Sequence, residues 1–232
     1  MSDRPSRAPL GEELLDDPAA DPALVRQSLG HIARSNAWFG GRAAVRFGLA
    51  RLLAGQPRRR PLTLLDVGSG AGDLARDAVR WGARRGLELR PLALERHPAA
   101  ARLSLEAGLP TVLGCAGALP VRERSVDIVV AAMLAHHLST DAACALFQAL
   151  TRVARLGVIV SDLRRSRVAA ALFPVGARLL GFDAHTTHDG VTSIRRGYSA
   201  EELRGLLARA GIMAADVAER PGWRLVATWR NA

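Results

Sequence analysis

Short apolar runs alternate with stretches of helical period along most of this chain. That alternation constrains the fold more than any other feature. The runs are LTLLDV (62–67), LRPLALE (89–95), TVLG (111–114), VDIVVAAM (126–133) and LGVIVSDL (156–163). They are continuous in Val, Ile and Leu, as in strands covered on both faces. Between them, 72–85, 98–107 (opened by Pro98) and 140–154 read as helices. Strands alternating with helices in this order predict a parallel, doubly wound α/β sheet.

The rhythm changes after residue 163. Residues 167–181 are apolar and helix-like, and FDAHTTHDGVTSIRRGY reads as a polar insertion. Ser199 begins a further helix, with Glu202 completing a capping box. Two last strands, 212–218 and 223–230, join through ERPG as an antiparallel hairpin. The expected sheet is therefore seven-stranded, mostly parallel, with a C-terminal antiparallel hairpin. Ahead of it, 1–20 reads as a flexible arm and 21–56 as a helical cap of two helices. Asp21 and Pro22 start the first of these, and Gly40–Gly41 separates the pair. Residues 57–232 form the main domain, with an insertion or lid at about 164–198.

The chain is strongly basic, with a formal net charge of +10. It contains no lysine, so the excess is all arginine, scattered along the chain with only short runs such as Arg58–Arg60 and Arg164–Arg165. This dispersal argues against nucleic acid as the partner. No apolar run is long enough to cross a bilayer, and the polar, acid-containing N-terminus lacks a secretory core. The two cysteines, Cys115 and Cys144, make neither a disulfide framework nor a zinc cluster. A soluble, cytoplasmic protein is expected; nothing indicates its oligomeric state.

The first strand runs into a glycine loop, LLDVGSGAGDLARDAV. Gly68, Gly70 and Gly72 make G-x-G-x-G, whereas the dinucleotide fingerprint needs a third glycine where Asp73 stands. A phosphate loop would need Gly-Lys-Ser/Thr, which is absent. Asp73 at the helix start and Asp66 at the strand end would repel a pyrophosphate. They would accept a ligand presenting an ammonium and a sulfonium.

The stretch LLDVGSGAGDLA resembles the first motif of the Rossmann-like (class I) S-adenosylmethionine-dependent methyltransferases. The resemblance runs from about Leu62 to the C-terminus. It implies S-adenosylmethionine as cofactor, lying along Gly68, Ser69, Gly70 and Gly72, with Asp66 and Asp73 near its amino end. Glu95 closes the second strand, where the family places an acid that accepts from both ribose hydroxyls; Arg96 would flank the adenine. The segment LGCAGALP resembles the family's G-D-A-x-x-L-P. Cys115 stands where an aspartate commonly reads the adenine amino group, leaving that contact to backbone near Ala116.

The segment AAMLAHHLST, from Met133 onward, would border the transferred methyl group. It lacks the Asn/Asp-Pro-Pro-Tyr/Phe of nucleic-acid amine methyltransferases. His136–His137–Leu138 instead resembles the HHL of small-molecule methyltransferases, including those of quinone biosynthesis, and either imidazole could serve as base. RSNAWFGGR resembles the N-terminal helical segment that covers the cofactor in small-molecule enzymes. Trp38 and, from the polar insertion, His185, His188, Arg195 and Tyr198 are the expected acceptor-site residues. His185 and His188 with Asp189 do not amount to a metal site. The resemblance thus implies O- or C-methylation of a small, largely apolar acceptor: a phenolic, quinol or pyrone-like ring. The alternatives are an RNA or protein methyltransferase, and a cofactor-binding homologue without catalysis, for which Cys115 is the only support.

Overall fold

The computed structural model describes residues 7, 14–56 and 60–231. The rest of the expected arm, and residues 57–59 of the stretch before the first strand, lie outside the described residues.

Two helices come first, α1 (Pro22–Trp38) and α2 (Gly41–Leu52). An alternating block follows: β1 (Leu62–Val67), α3 (Asp73–Ala83), β2 (Leu89–Glu95), α4 (Pro98–Glu106), β3 (Thr111–Leu113), β4 (Val126–Ala132), α5 (Thr140–Val153) and β5 (Ala154–Leu163). The chain ends with α6 (Arg167–Leu179), α7 (Ala184–Arg196), α8 (Ala200–Arg209), β6 (Asp216–Arg220) and β7 (Arg224–Arg230). The seven strands form one sheet in the order β3-β2-β1-β4-β5-β7-β6. All pairs are parallel except those of β7, which runs antiparallel to both β5 and β6.

Alternate side chains of the strands feed two cores. On one face, Leu64, Ile128, Ile159 and Val226 meet Ala44 and Leu49 of α2 and Ala78 and Trp81 of α3. On the other, Leu65, Val129, Val158 and Leu225 meet Phe147 and Leu150 of α5 and Leu203 and Leu207 of α8. All seven residues of β4 are buried, as its unbroken apolar run predicts. Helix α2 lies directly on the sheet. A Cβ at Gly48 would come within 2.5 Å of Ile159 Cγ2, so only glycine allows the approach. At the end of β4 away from the glycine loop, the buried Asp127 accepts from Arg60 and from the backbone and hydroxyl of Thr63.

The helix starts follow the side chains that cap them. Asp21 accepts from Ala23 N, Ser139 from Ala142 N and Ser166 from Ala169 N. The Ser199–Glu202 capping box forms as expected.

Three expectations need correction. The polar insertion is largely the helix α7, capped by Asp183, which accepts from Thr186 N. Its buried face carries Thr186, Ser193 and Ile194, so polar and small residues disguise the apolar period. The first hairpin strand lies later than 212–218, because 212–215 form the turn that leaves α8 and pairing with β7 begins at Asp216. Part of the expected arm is held: Leu14–Asp16 make a 3-10 turn, Leu15 packs beside Val25, Leu29 and Ala100, and Asp17 O bonds His97 Nε2 at 3.0 Å.

Two turns far apart in sequence also meet. The turn between α1 and α2 abuts the β6–β7 turn. A Cβ on Gly222 would fall 2.3 Å from Phe39 O, and one on Gly40 would fall 2.5 Å from Pro221 O.

Candidate active site

The strand order reverses between β1 and β4, and a parallel sheet opens a crevice at such a point, beyond the carboxyl ends of its strands. A cavity of about 800 Å³ lies there. The glycine loop, the ends of β2, β4 and β5, and the β6–β7 turn line it, and α1, α6 and α7 enclose it. Across the roof, His31 Nδ1 of α1 meets Thr186 Oγ1 of α7 at 3.0 Å, and Gln27 Nε2 donates to Asp183 Oδ2 at 3.0 Å.

One end of the cavity is acidic. Gly68, Ser69, Gly70 and Asp73 line it with Asp66 and Glu95. Gly70 has φ +54°, and a Cβ there would press on Leu29 Cδ2 at 3.0 Å. Gly72 proves structural: it does not line the cavity. It starts α3 in a left-handed conformation, and its missing Cβ would strike Leu109 at 2.1 Å. The Glu95 carboxylate shapes the loop. Its Oε2 accepts from Gly70 N at 2.8 Å, and its Oε1 from Arg96 N at 2.8 Å and His97 N at 3.0 Å. Carboxylate oxygens keep further lone pairs after such bonds, so Glu95 can still accept from a diol.

Asp66 and Asp73 are both buried here. Burial, then the charges of Asp73 and Glu95, push the Asp66 carboxyl up to about 7. Its Oδ2 is buried with no hydrogen-bond partner. Burial also raises the Asp73 carboxyl, although Asn36 Nδ2 lies 3.4 Å from both of its oxygens and Arg42 Nε lies 3.9 Å from Oδ2. A pocket with surplus buried acid and an unpartnered carboxylate oxygen suits a cation. Arg96, Cys115 and Ala116 line the same cavity, and Cys115 Sγ accepts from Gly117 N at 3.4 Å.

The other end is apolar, walled by Leu163, Leu172, Phe173, Phe182, Ile194 and Trp223. Besides Thr186, Asp189 and Ser193 on α7, two polar sites interrupt it. His136, fully buried, is clamped by Asp162 at the end of β5. Its Nδ1 lies 2.6 Å from Asp162 Oδ1, and its backbone N–H donates to Asp162 Oδ2 at 3.0 Å. Asp162 is pushed up by burial but is carried below its usual range by His136. When the ring is neutral, this pairing keeps its proton on Nδ1 beside Asp162 and leaves Nε2 as acceptor. Nε2 is buried without a partner. His137 lies beside it, with ring centroids 4.1 Å apart. Burial, then the charge of His136, drives His137 down to about 3. The second polar group is Arg224 at the start of β7, against Met133 and the carbonyl of Phe39. Met133, in a left-handed conformation at φ +58°, also lines the cavity.

Of the expected acceptor residues, only Trp38 lines the cavity, at its exposed rim. His185, His188 and Arg195 point outward from α7, and His185 Nε2 pairs with Asp189 Oδ2 at 3.3 Å. Tyr198 is core: its hydroxyl donates to Ala135 O at 2.7 Å. The face of α7 that does line the cavity carries Thr186, Asp189, Gly190, Ser193 and Ile194. Sequence reasoning overlooked Asp162 and Arg224. The only signal was a charged residue at the end of an otherwise apolar strand.

Residues 64–157 match the methyltransferase domain family. They are a methyltransferase domain. No curated protein matches the chain. Among solved structures, a SAM-dependent methyltransferase from Aquifex aeolicus superposes with TM-score 0.57 and 16% identity, over 91% of this chain and 99% of that one. Human N-acetylserotonin methyltransferase, in complex with SAM, gives 0.66 and 13%, over 95% of this chain and 59% of that one. Magnesium protoporphyrin IX methyltransferase from Synechocystis PCC 6803, with bound SAH, gives 0.55 and 13%, over 83% and 84%. At these identities the likeness is one of fold. With the domain match, the fold is that of the class I S-adenosylmethionine-dependent methyltransferases, and S-adenosylmethionine is the cofactor that fold implies. The residues fit that cofactor. The unpartnered Oδ2 of Asp66 and the Cβ-free loop at Gly70 offer the charge and the room that an amino-acid end requires. No helix among the described residues is long and apolar enough to cross a membrane.

Proposed function

We propose that this methyltransferase acts on a small, largely apolar acceptor, at an oxygen or carbon of a phenolic, quinol or pyrone-like ring, in small-molecule biosynthesis. The observation that carries this reading is the Asp162–His136 pair at the wall of a largely apolar cavity, with Nε2 of His136 buried and unpartnered. Asp66 and Asp73 hold the amino end of the cofactor, Glu95 its ribose, and Arg96 with the backbone at Ala116 its adenine. The segment 164–198, which contains α6 and α7, serves as the lid. When bound, S-adenosylmethionine supplies an electrophilic methyl group, and the bonding pair stays with the departing neutral thioether.

His136 removes the proton. The acceptor's O–H (or ring C–H acid) gives it to Nε2, and Asp162 stabilises the imidazolium that results. His137, unprotonated over the whole neutral range, is too weak a base for this step and packs the ring of His136 in place. The apolar walls keep water from the reacting groups. A cavity of about 800 Å³ accommodates a cofactor and a ring-sized acceptor, and neither strand nor duplex is needed to fill it.

The test is His136→Gln, with Asp162→Asn beside it, assayed on a panel of phenols, quinols and pyrones. Cofactor affinity should hold while kcat falls by roughly 10²–10⁴-fold for His136→Gln. Unchanged kcat in both variants on the least acidic acceptor would remove His136 from the mechanism. Absence of turnover on every ring in the panel would overturn the acceptor class.

A further inference from the structure

Arg224 is a buried cation that the reaction, as described, does not use. It is 2% exposed, lines the apolar end of the cavity, and stands opposite Leu163 in the β5–β7 register. Its Nε donates to Phe39 O at 3.0 Å, and its Nη1 rests against the Met133 sulfur. Among the described residues it makes no ion pair with a carboxylate, and its Nη2 makes no hydrogen bond. The acid that acts on it most is Asp162, whose two oxygens already serve His136 and the N–H of Leu163. Burial lowers its pKa to about 10, so it stays charged at neutral pH.

A buried guanidinium without a carboxylate is a costly arrangement, since desolvation goes uncompensated. Its surroundings leave the compensation to a ligand. The carboxylates on the cavity wall are elsewhere: Asp66, Asp73 and Glu95 at the glycine loop, and Asp189 on α7 beside His185. Other charged or titratable groups near this end are His136, His137, His31 and Arg34 against the Phe182 ring and, in the last turn of α7, Arg196. The cavity is thus polarised, with acid facing the cofactor's cationic end and arginine facing the acceptor. In the same wall, Nε2 of His136 is a second polar atom lacking a partner.

We propose that Arg224 is the counter-ion of the acceptor, and that the acceptor is bound as an oxyanion: a ring bearing a phenolate, an enolate or a carboxylate oxygen. The inference rests on the methyl-transfer reading and narrows its substrate class. The acceptor proton passes to Nε2 of His136, the negative charge left behind lies against Arg224, and the oxygen or ring carbon keeps the electron pair that forms the new bond to the methyl carbon. A neutral ring with no ionisable oxygen would leave the guanidinium bare and should bind poorly.

The experiment loads the full-length protein with S-adenosylhomocysteine and titrates it with 4-nitrophenol, whose ionised form absorbs in the visible, and with its non-ionisable methyl ether, 4-nitroanisole. The bound phenol should ionise at least one pH unit below the free one, and the ether should bind at least tenfold more weakly. Arg224→Gln should abolish both effects without changing S-adenosylhomocysteine affinity by calorimetry, and Arg224→Lys should restore part of the shift. Failure of the phenol to bind wild type, a bound phenol that titrates as in water, an ether that binds equally well, or an unaltered Arg224→Gln variant would each overturn the proposal. The wild-type titration decides the matter even if Arg224→Gln fails to fold. Loss of S-adenosylhomocysteine binding in wild type would instead count against the methyltransferase reading itself.

Discussion

Replacing Asp66 by Asn should make the empty protein more stable and the cofactor weaker. The carboxyl is buried, one oxygen lacks a partner, and its pKa is raised from 3.8 to about 7. Three pH units of displacement correspond to about 4 kcal/mol, a ceiling because local relaxation relieves part of it. The folded protein retains a proton that the unfolded chain has already lost between about pH 4 and pH 7. Wild-type stability should therefore fall across that window and level off above it. The amide carries no charge and can keep the hydrogen bond from Ala75 N–H, so Asp66→Asn should lack the decline. At pH 8, half of the ceiling, about 2 kcal/mol, would raise Tm by about 4–8 °C for a domain of this size. At pH 5, about one unit into the window, the difference should be little more than a third of that at pH 8. The cofactor supplies cationic groups that favour the ionised carboxylate, so calorimetry at pH 8 should show S-adenosylmethionine binding at least tenfold more weakly to the variant, about 1.4 kcal/mol. The assay is thermal unfolding at pH 5 and pH 8 of protein stripped of ligand, with calorimetry on the same preparations. A variant less stable than wild type at pH 8, or one that binds cofactor equally well, would refute the assignment of Asp66 to the cationic end.

Gly70→Val places a branched side chain at φ +54° against Leu29 and should abolish S-adenosylmethionine binding in calorimetry while far-UV circular dichroism stays native; retained affinity would mean that the loop is not the cofactor's seat. Glu95→Ala removes the acceptor of three backbone N–H groups as well as the proposed ribose contact, and should weaken the cofactor at least tenfold, about 1.4 kcal/mol; a change below twofold would misplace the ribose. Burial raises the Asp127 carboxyl, but hydrogen bonds from Arg60 and Thr63 outweigh it and hold the group at about 2. Asp127→Asn should therefore cost about 2 kcal/mol in urea unfolding at pH 7, and the deficit should vanish as the pH falls from 4 towards 2; a deficit independent of pH would assign the loss to packing.

The parallel core was legible because its strands are covered on both faces. β1 and β2 coincide residue for residue with the runs 62–67 and 89–95, each bounded by turn residues or by a change of period. The acidic end of the cavity was legible for a related reason: Asp66, the glycine loop and Asp73 are contiguous, so strand, turn and helix start deliver them to one place. Helix α7 was not, because its buried face includes Thr186 and Ser193, which weaken a period read from hydrophobicity. Its cap, Asp183, was the readable sign. The acceptor end was the least legible. Asp162 reaches His136 only because β5 lies beside β4, and Arg224 joins that wall only because β7 inserts next to β5. Neither adjacency leaves a mark in local sequence. Tyr198 and the outward histidines of α7 misled because a polar stretch does not say which of its side chains face inward.

β7 comes last in chain order among the strands of this sheet, yet it lies inside the sheet, with β5 on one side and β6 on the other. Until residues 224–230 have left the ribosome, the edge of β5 that carries Val158, Ile159 and Val160 has no partner. The turn that meets Phe39 is also missing, and so is Arg224. An apolar edge of this length is a template for pairing with another chain. A chain that stops short of residue 224 should therefore not yield a smaller folded protein. It should aggregate through β5, and the cell must protect that strand until β7 has emerged.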